Sequence, residues 1–404
     1  ILPTPVVHFA RIHVFGQKMY RLPSHRLHDP ATQRLLFFIT KSEEGGAQTH
    51  VAQLAKFFAS HGDTVAIMSA PGGWLEQEAK RLGVQFFPNP ALKNTLNPFA
   101  ILQASRTLTR LVSAFQPDLV ACHSTMAGLL GRFTIRNRIP TVFTAHGWGF
   151  TQGAPPLRRF LLPALERIAA HLCHRIVVVS QNDFDLALHY RIAPTSKLTL
   201  IHNGVEIIEE HAPHAPHNHV HLFFVGRLAP PKDPFLLVEA IASLPTDVRN
   251  RLKLTIVGDG PQESALHNLV QDRGLEQLVE LAGALPRDAL LRRLDTEANV
   301  FVLISNWEGF PYSILEAMAR AIPVIASDVG GVKEAVDEAV GRLIARADIQ
   351  ALARALEDAT EHSDIWKTKG QRARERAQSL FRVETMGEKT RALYEEVLRK
   401  PSTD

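Results

Sequence analysis

Two glutamates eight residues apart, Glu308 and Glu316, flank a Gly-Phe-Pro turn in "SNWEGFPYSILEAMARAIPVIAS" (residues 305–327). Glu308 sits in a glycine-containing loop just past an apolar run. A carboxylate there can bind hydroxyls or stabilise a developing oxocarbenium ion. Glu316 follows Ser313 by three residues, the spacing of a capping box, so it has a role at a helix start without any chemistry. Upstream, "GRLAPPKDPF" sets Arg227 and Lys232 five apart, with Asp233-Pro234 behind them as N-cap and first helical turn. Two cations near a helix N-terminus suit a diphosphate, and the plainer reading is an exposed arginine and lysine.

Other loops add weaker signals. In "KSEEGGAQTHVAQLAKFF", Gly45 and Gly46 stand at a strand-to-helix turn, where backbone can approach a ligand and a helix offers free N–H groups. The helix that follows has Val51, Leu54, Ala55 and Phe58 on one face, which is ordinary core packing. "FTAHGWGF" places His146 in a loop, able to hydrogen-bond a sugar hydroxyl, although among nineteen histidines surface decoration competes as an explanation. "SDVGGVKEAV" repeats the glycine-pair layout with Glu334. In "SQNDFD", Asp183 and Asp185 have the spacing of a metal-binding pair. Ser180, three residues before Asp183, reads instead as a capping box that puts both aspartates in a helix. Two apart, they point roughly 200° away from each other and cannot grip one ion.

The elements that must position these residues form two series. From residue 34, short Val/Ile/Leu/Phe runs alternate with helical patterns: seven between "RLLFFIT" (34–40) and "LTLIH" (198–202), then six between "VHLFFVG" (220–226) and "GRLI" (341–344). This predicts two doubly wound α/β domains, with strands buried on both faces and ligands bound outside their carboxyl ends. Between them, "EIIEEHAPHAPHNHVH" (206–221) reads as a linker. Its histidines lack the fixed geometry a metal needs. The formal charge of +4 on 404 residues is small, and no dense basic stripe predicts nucleic acid. Cys122 and Cys173, far apart in apolar stretches, predict free thiols in a reducing compartment. No run reaches the ~20 apolar residues of a membrane span. "PPLRRFLLPALERIAAH" (155–171) is basic and amphipathic, suited either to anionic lipid or to core packing with a solvated edge.

The ordered series "GGAQTHV", "TAHG", "HNGVE", "GRLAPPKDP", "GDGP", "EGFPYSILEAMA", "DVGG" and "GRLI" resembles the retaining glycosyltransferases of family four, over roughly residues 34–398. Within them it is similar to enzymes of bacterial exopolysaccharide and lipopolysaccharide assembly. The resemblance implies the GT-B fold, two Rossmann-like domains facing across a cleft. It implies an N-terminal acceptor-side domain (34–205), a linker (206–219), a nucleotide-sugar domain (220–380) and a terminal helix (381–404) crossing back onto the first domain. Residues 1–33, which start at Ile1 rather than Met, are an extension of no assigned role. Arg227 and Lys232 would clamp the donor diphosphate, Glu308 would contact the transferred sugar, and Glu316 would bind ribose. Backbone around Gly309, Phe310, Ser313, Ile314 and Leu315 would complete the donor site. Gly45, Gly46 and His146 would face it from the other domain, with Asn203 and Gly204 where the domains meet. Glu206 after "NGV" and Asp233 after the lysine depart from the family's usual Asp and Gly without removing a ligand.

The expected activity is transfer from a nucleoside diphosphate sugar, UDP before GDP, to a saccharide or lipid-linked saccharide. No metal or cofactor is expected. The expected location is cytoplasmic, peripheral at the inner face of the membrane. Nucleotide-sugar hydrolysis, epimerisation or phosphorolysis on the same fold, and a non-catalytic binding role, stay open.

Overall fold

Apolar runs bounded by loops become parallel strands here because both of their faces are covered by helices. The computed structural model describes residues 9–11, 21–23, 32–92, 97–151, 154, 156–207 and 219–399. The first sheet has seven parallel strands, in the order Gln85–Pro88, Thr64–Ser69, Arg34–Ile39, Leu119–His123, Thr141–Ala145, Arg175–Val178, Leu198–Leu200. The second has six, in the order Val279–Gly283, Leu252–Val257, Val220–Val225, Val300–Leu303, Val324–Ser327, Gly341–Ile344. All thirteen expected strands form. The chain order runs 3-2-1-4-5-6-7 in the first sheet and 3-2-1-4-5-6 in the second, so in both the winding reverses between the first and fourth strands. The crevice at that reversal is where open α/β sheets bind ligands.

The helix Gly46–Ser60 buries Val51, Leu54, Ala55 and Phe58 against the first sheet, as its spacing predicts. The two halves are tied by two stretches of chain running side by side. Val205 pairs with Arg382, and the Val205 N–H donates to the Phe381 carbonyl at 2.8 Å. Gly204 lies at this crossing, where a Cβ would stand 2.6 Å from the Arg382 carbonyl oxygen, so the site admits only glycine without a shift. Beyond it, the helix Val383–Arg399 packs on the first domain. Tyr394 stacks on Phe58 at 5.4 Å between ring centres, and Arg391 pairs with Asp63 at 2.7 Å. The aromatic pair contributes ~0.5–1.5 kcal/mol beyond its buried area.

Phe9–Arg11 and Arg21–Pro23 pair as a small antiparallel ladder; the rest of residues 1–31 lies outside the described residues. So does most of the histidine-rich linker, from 208 to 218. Both cysteines are free and buried, and burial pushes the Cys122 thiol up to about 12.

Candidate active site

At the reversal point of the second sheet, the loop after Val220–Val225 meets the loop after Val300–Leu303. Lys232 and Ser305 form an antiparallel bridge, the Asp233 N–H donates to the Ile304 carbonyl at 2.9 Å, and the Asn306 N–H donates to the Pro231 carbonyl at 2.8 Å. This lacing aims Lys232 at Glu308: Nζ donates to Oε1 at 2.5 Å, with both side chains mostly buried. Asp233 caps the helix Pro234–Ala242 by accepting from the Leu236 N–H. Arg227 stands exposed at the same strand end. The Glu308 backbone is fixed from behind by Gly330, whose φ of 56° favours glycine. A Cβ there would fall 1.9 Å from the Glu308 carbonyl oxygen.

The capping box expected for Ser313 and Glu316 does not form. The helix Tyr312–Ala319 begins one residue after Pro311, which has no side-chain cap, and Ser313 already lies inside the first turn. Glu316, 4% exposed, turns instead to Arg287 at the start of the helix Arg287–Glu297. Arg287 also lies 3.5 Å from Glu44 of the first domain. One guanidinium thus links a carboxylate on each side of the cleft. Burial pushes the Glu44 carboxyl up, opposed by Arg287. Arg287 had no signal in the sequence.

On the facing side, His146 is not isolated. His50, His123 and His146 bring ring nitrogens within 4.8 Å of one another, and His123 Nδ1 and His146 Nε2 share a hydrogen bond at 3.1 Å. Burial pulls His50 down to about 4, and burial followed by the neighbouring imidazoles pulls His123 and His146 well below the usual histidine range. The trio is neutral at pH 7. His146 can therefore orient a hydroxyl, but it is not charged for acid catalysis. His146 Nδ1 and His123 Nε2 have no hydrogen-bond partner among the described residues. This is also the one group among those residues whose donor atoms could hold a metal ion, a set that suits zinc. His50 could have been found in the sequence: it lies four residues before Leu54 and eight before Phe58, on the buried stripe.

Asn203 joins the trio to the donor loop. His50 Nδ1 and Asn203 Oδ1 are 3.0 Å apart, and Asn203 Nδ2 donates to the Phe310 carbonyl at 2.6 Å. The two faces touch through glycines, since a Cβ on Gly309 would stand 3.0 Å from the His146 carbonyl oxygen. Gly45 is the N-cap of the helix Gly46–Ser60. Its φ of 174° is open to any residue, and a Cβ would meet only the Gln48 side chain. Gly46 faces Tyr312 across the cleft, where a Cβ would make ordinary contact at 3.5 Å.

Asp183 and Asp185 do lie in one helix, Gln181–His189, and Ser180 caps it. Asp183 accepts from Ser180 Oγ and the Trp148 N–H, and Asp185 accepts from Gln181, so the two carboxylates serve different partners. Burial pushes Asp183 up to about 7. Glu334 crosses from the second domain to the N-terminus of this helix, accepting from the Gln181 and Asn182 N–H groups at 2.7 and 3.1 Å.

With this geometry in place, comparisons with known proteins carry weight. Residues 44–209 match the model of Glycosyltransferase Family 4, and residues 207–379 match that of Glycosyl transferases group 1. The chain is 29% identical over 301 residues to an Escherichia coli UDP-Gal:alpha-D-GlcNAc-diphosphoundecaprenol alpha-1,3-galactosyltransferase, covering 69% of this chain and 75% of that protein. It is 29% identical over 231 residues to a Xanthomonas oryzae GDP-mannose:cellobiosyl-diphosphopolyprenol alpha-mannosyltransferase, covering 56% and 59%. Among solved structures, sucrose-phosphate synthase from Thermosynechococcus elongatus superposes with a TM-score of 0.77 at 22% identity, over 90% of this chain and 99% of that one. Anabaena HepE in complex with UDP-glucose gives 0.76 at 20%, over 90% and 100%.

Proposed function

The chain belongs to the group 1/family 4 glycosyltransferases with the GT-B fold, and from that premise we propose a retaining, metal-independent transfer from a nucleoside diphosphate sugar to a lipid-linked saccharide. The observation that carries the reading is the Lys232–Glu308 pair at the winding reversal of the second sheet. A diphosphate entering there competes with Glu308 for the ammonium. Arg227, Lys232 and the N-terminus of Tyr312–Ala319, equivalent to ~+0.5 charge, then meet the charge that develops on the leaving phosphate. Glu308, released, faces the sugar hydroxyls. Glu316 exchanges Arg287 for the ribose.

In the step proposed, the acceptor oxygen bonds the anomeric carbon on the face from which the phosphate leaves. The bond to the phosphate oxygen breaks with its electron pair, and that oxygen takes the hydroxyl proton. His146 positions the hydroxyl. A covalent intermediate on Glu308 is the less favoured alternative, and a trapped glycosyl-enzyme there would overturn the front-face step. The relatives include both a UDP-sugar and a GDP-sugar enzyme, and the reading takes UDP as the first donor base to test and GDP as the second.

The acceptor reading rests on the surface of the first domain. Leu157, Phe160, Leu161, Leu165 and Ile168 of the helix Pro156–Ala170 are all exposed. Residues 97–171 contain eight arginines and only Asp118 and Glu166 as acids, and Glu166 is buried. An apolar face with an arginine surround suits an anionic bilayer, where lipid-linked acceptors reside. No described helix is long and apolar enough to cross a membrane.

The test is thermal stability with UDP, GDP and ADP, each with and without EDTA, followed by flotation with anionic liposomes. A nucleotide at 100 times its Kd adds ~2.7 kcal/mol to the folded state. The expected result is a shift with one nucleotide, unchanged by EDTA, and co-flotation lost in Phe160→Asp. No shift with any nucleotide would sink the donor site, and a protein that stays in solution with every lipid would remove the membrane.

A further inference from the structure

The first domain holds a cavity of about 320 Å³ between the helices Pro98–Phe115 and Thr125–Ile135, apart from the donor site. Its wall is apolar, with Leu92, Ile101, Ala104, Met126, Leu130 and Phe133, and Thr40 is the one polar residue lining it. We propose that this cavity takes the first isoprene units of the acceptor's polyprenyl chain. The inference rests on the reading of the acceptor as a diphosphate-linked lipid and names the part of that lipid the protein grips.

Position is the first argument. Thr40 follows the strand Arg34–Ile39, and its hydroxyl is 2.7 Å from that of Ser124, the residue after His123. Met126 is three residues beyond His123, whose ring bonds His146. The cavity therefore opens at the same sheet end as the histidine trio, beside the place where an acceptor sugar must sit.

Continuity is the second. Around the cavity, Phe99 is 83% exposed and Leu102 48%, and the lining residue Phe133 is itself partly exposed. Helix Thr125–Ile135 packs on helix Pro156–Ala170, whose Glu166 makes a buried ion pair with Arg132. The helix on one wall of the cavity thus packs directly on the helix whose exposed face is assigned to the bilayer.

Chemistry is the third. The exposed Arg106 and Arg110 lie on the helix that forms one wall, and no described acid of residues 97–171 is exposed. A volume near the small end of ligand sites fits a short branched segment, not a whole polyprenol. The remainder of the chain stays in the membrane.

The experiment compares farnesyl diphosphate, dodecyl phosphate and inorganic diphosphate as ligands, read by thermal shift on the full chain. Two variants fill or spoil the cavity: Ala100→Trp on its half-buried rim, and Ile101→Asp on the exposed side of the same turn. Farnesyl diphosphate is expected to stabilise the wild type more than either control does. Its affinity should fall ~10-fold or more in both variants, since each methylene removed from apolar contact is worth about fourfold. Nucleotide affinity should not move. In transfer assays, KM for a farnesyl-linked acceptor should lie well below that for a methyl-linked one, and the variants should erase the difference at unchanged kcat. Equal farnesyl diphosphate binding by wild type and both variants would overturn the assignment. Equal stabilisation by dodecyl phosphate would overturn it in favour of a bilayer acyl chain. Transfer that ignores chain length overturns the cavity assignment alone, whereas absence of transfer to any diphosphate-linked acceptor overturns the acceptor reading on which it rests.

Discussion

The two sheets share one winding but face the cleft with opposite chemistry. The second presents charges that pair with each other, Lys232 with Glu308 and Glu316 with Arg287. The first presents neutral imidazoles and an apolar cavity, and it keeps its most buried ion pair, Arg132 with Glu166, between two helices. On the proposed reading, the second half sets ion pairs at the donor site, where ligands can exchange them, as well as in its packing. A donor leaves as an anion and needs mobile counter-charge. A hydroxyl and a lipid do not, and stray charge beside them would cost desolvation.

The largest effect should come from breaking the packing pair. Glu166→Ala leaves Arg132 buried without its carboxylate and should cost ~3–5 kcal/mol in urea unfolding, with nucleotide affinity unchanged in what folds. The converse is Lys232→Ala. It should lower kcat by ~10²–10³, the usual loss when one group stabilising a leaving anion is removed, with less harm to stability than Glu166→Ala. If Lys232→Ala unfolds the protein or Glu166→Ala abolishes nucleotide binding, the division of labour fails.

Acid should weaken the first half before the second. Unfolded imidazoles titrate near ~6.5, whereas folded His50, His123 and His146 stay neutral well below that. The unfolded state therefore binds more protons as pH falls through ~6.5, and stability drops by at most ~1.4 kcal/mol per pH unit for each ring. Asp183 acts in the opposite direction. Held up at about 7, it gains a proton in the folded state first and so stabilises on acidification from 7 toward 4. Three rings against one carboxyl give a net loss, measurable as a lower urea midpoint at pH 5.5 than at pH 7.5. Replacing His123 by Asn should flatten that slope.

The smallest effect is expected at Arg287→Ala. The guanidinium is partly exposed but its loss leaves the buried Glu316 unpaired, so the apo protein should lose ~1–3 kcal/mol, less than Glu166→Ala. Because ribose then meets Glu316 without a competitor, the stabilisation gained from nucleotide should grow. A smaller nucleotide shift in the variant would make Arg287 a ligand rather than a latch.

How much of this was legible differs between the halves for the same physical reason. A strand run such as "TVAIMS" could be placed to the residue, because a strand buried on both faces writes its own boundaries in apolar residues. Lys232 and Glu308 stood out as charges in loops at strand carboxyl ends, and the structure brings them together as a pair. The capping box at Ser313 was misread: Pro311 starts the helix by its fixed φ, and Glu316 found a partner 29 residues away. Arg287 and Asn203's bridge depend on residues meeting across the cleft, and the histidine trio on one helix and two strand ends of the first domain converging, which no local spacing encodes. The cavity likewise lies between two helices that no local spacing brings together.

The measurement that tests the central claim most directly is the anomeric configuration of the product, read by proton NMR during transfer in excess EDTA. The account predicts the donor's own configuration in the product at a rate that the chelator does not change. An inverted product, or transfer that stops in EDTA and returns with a divalent ion, would contradict it.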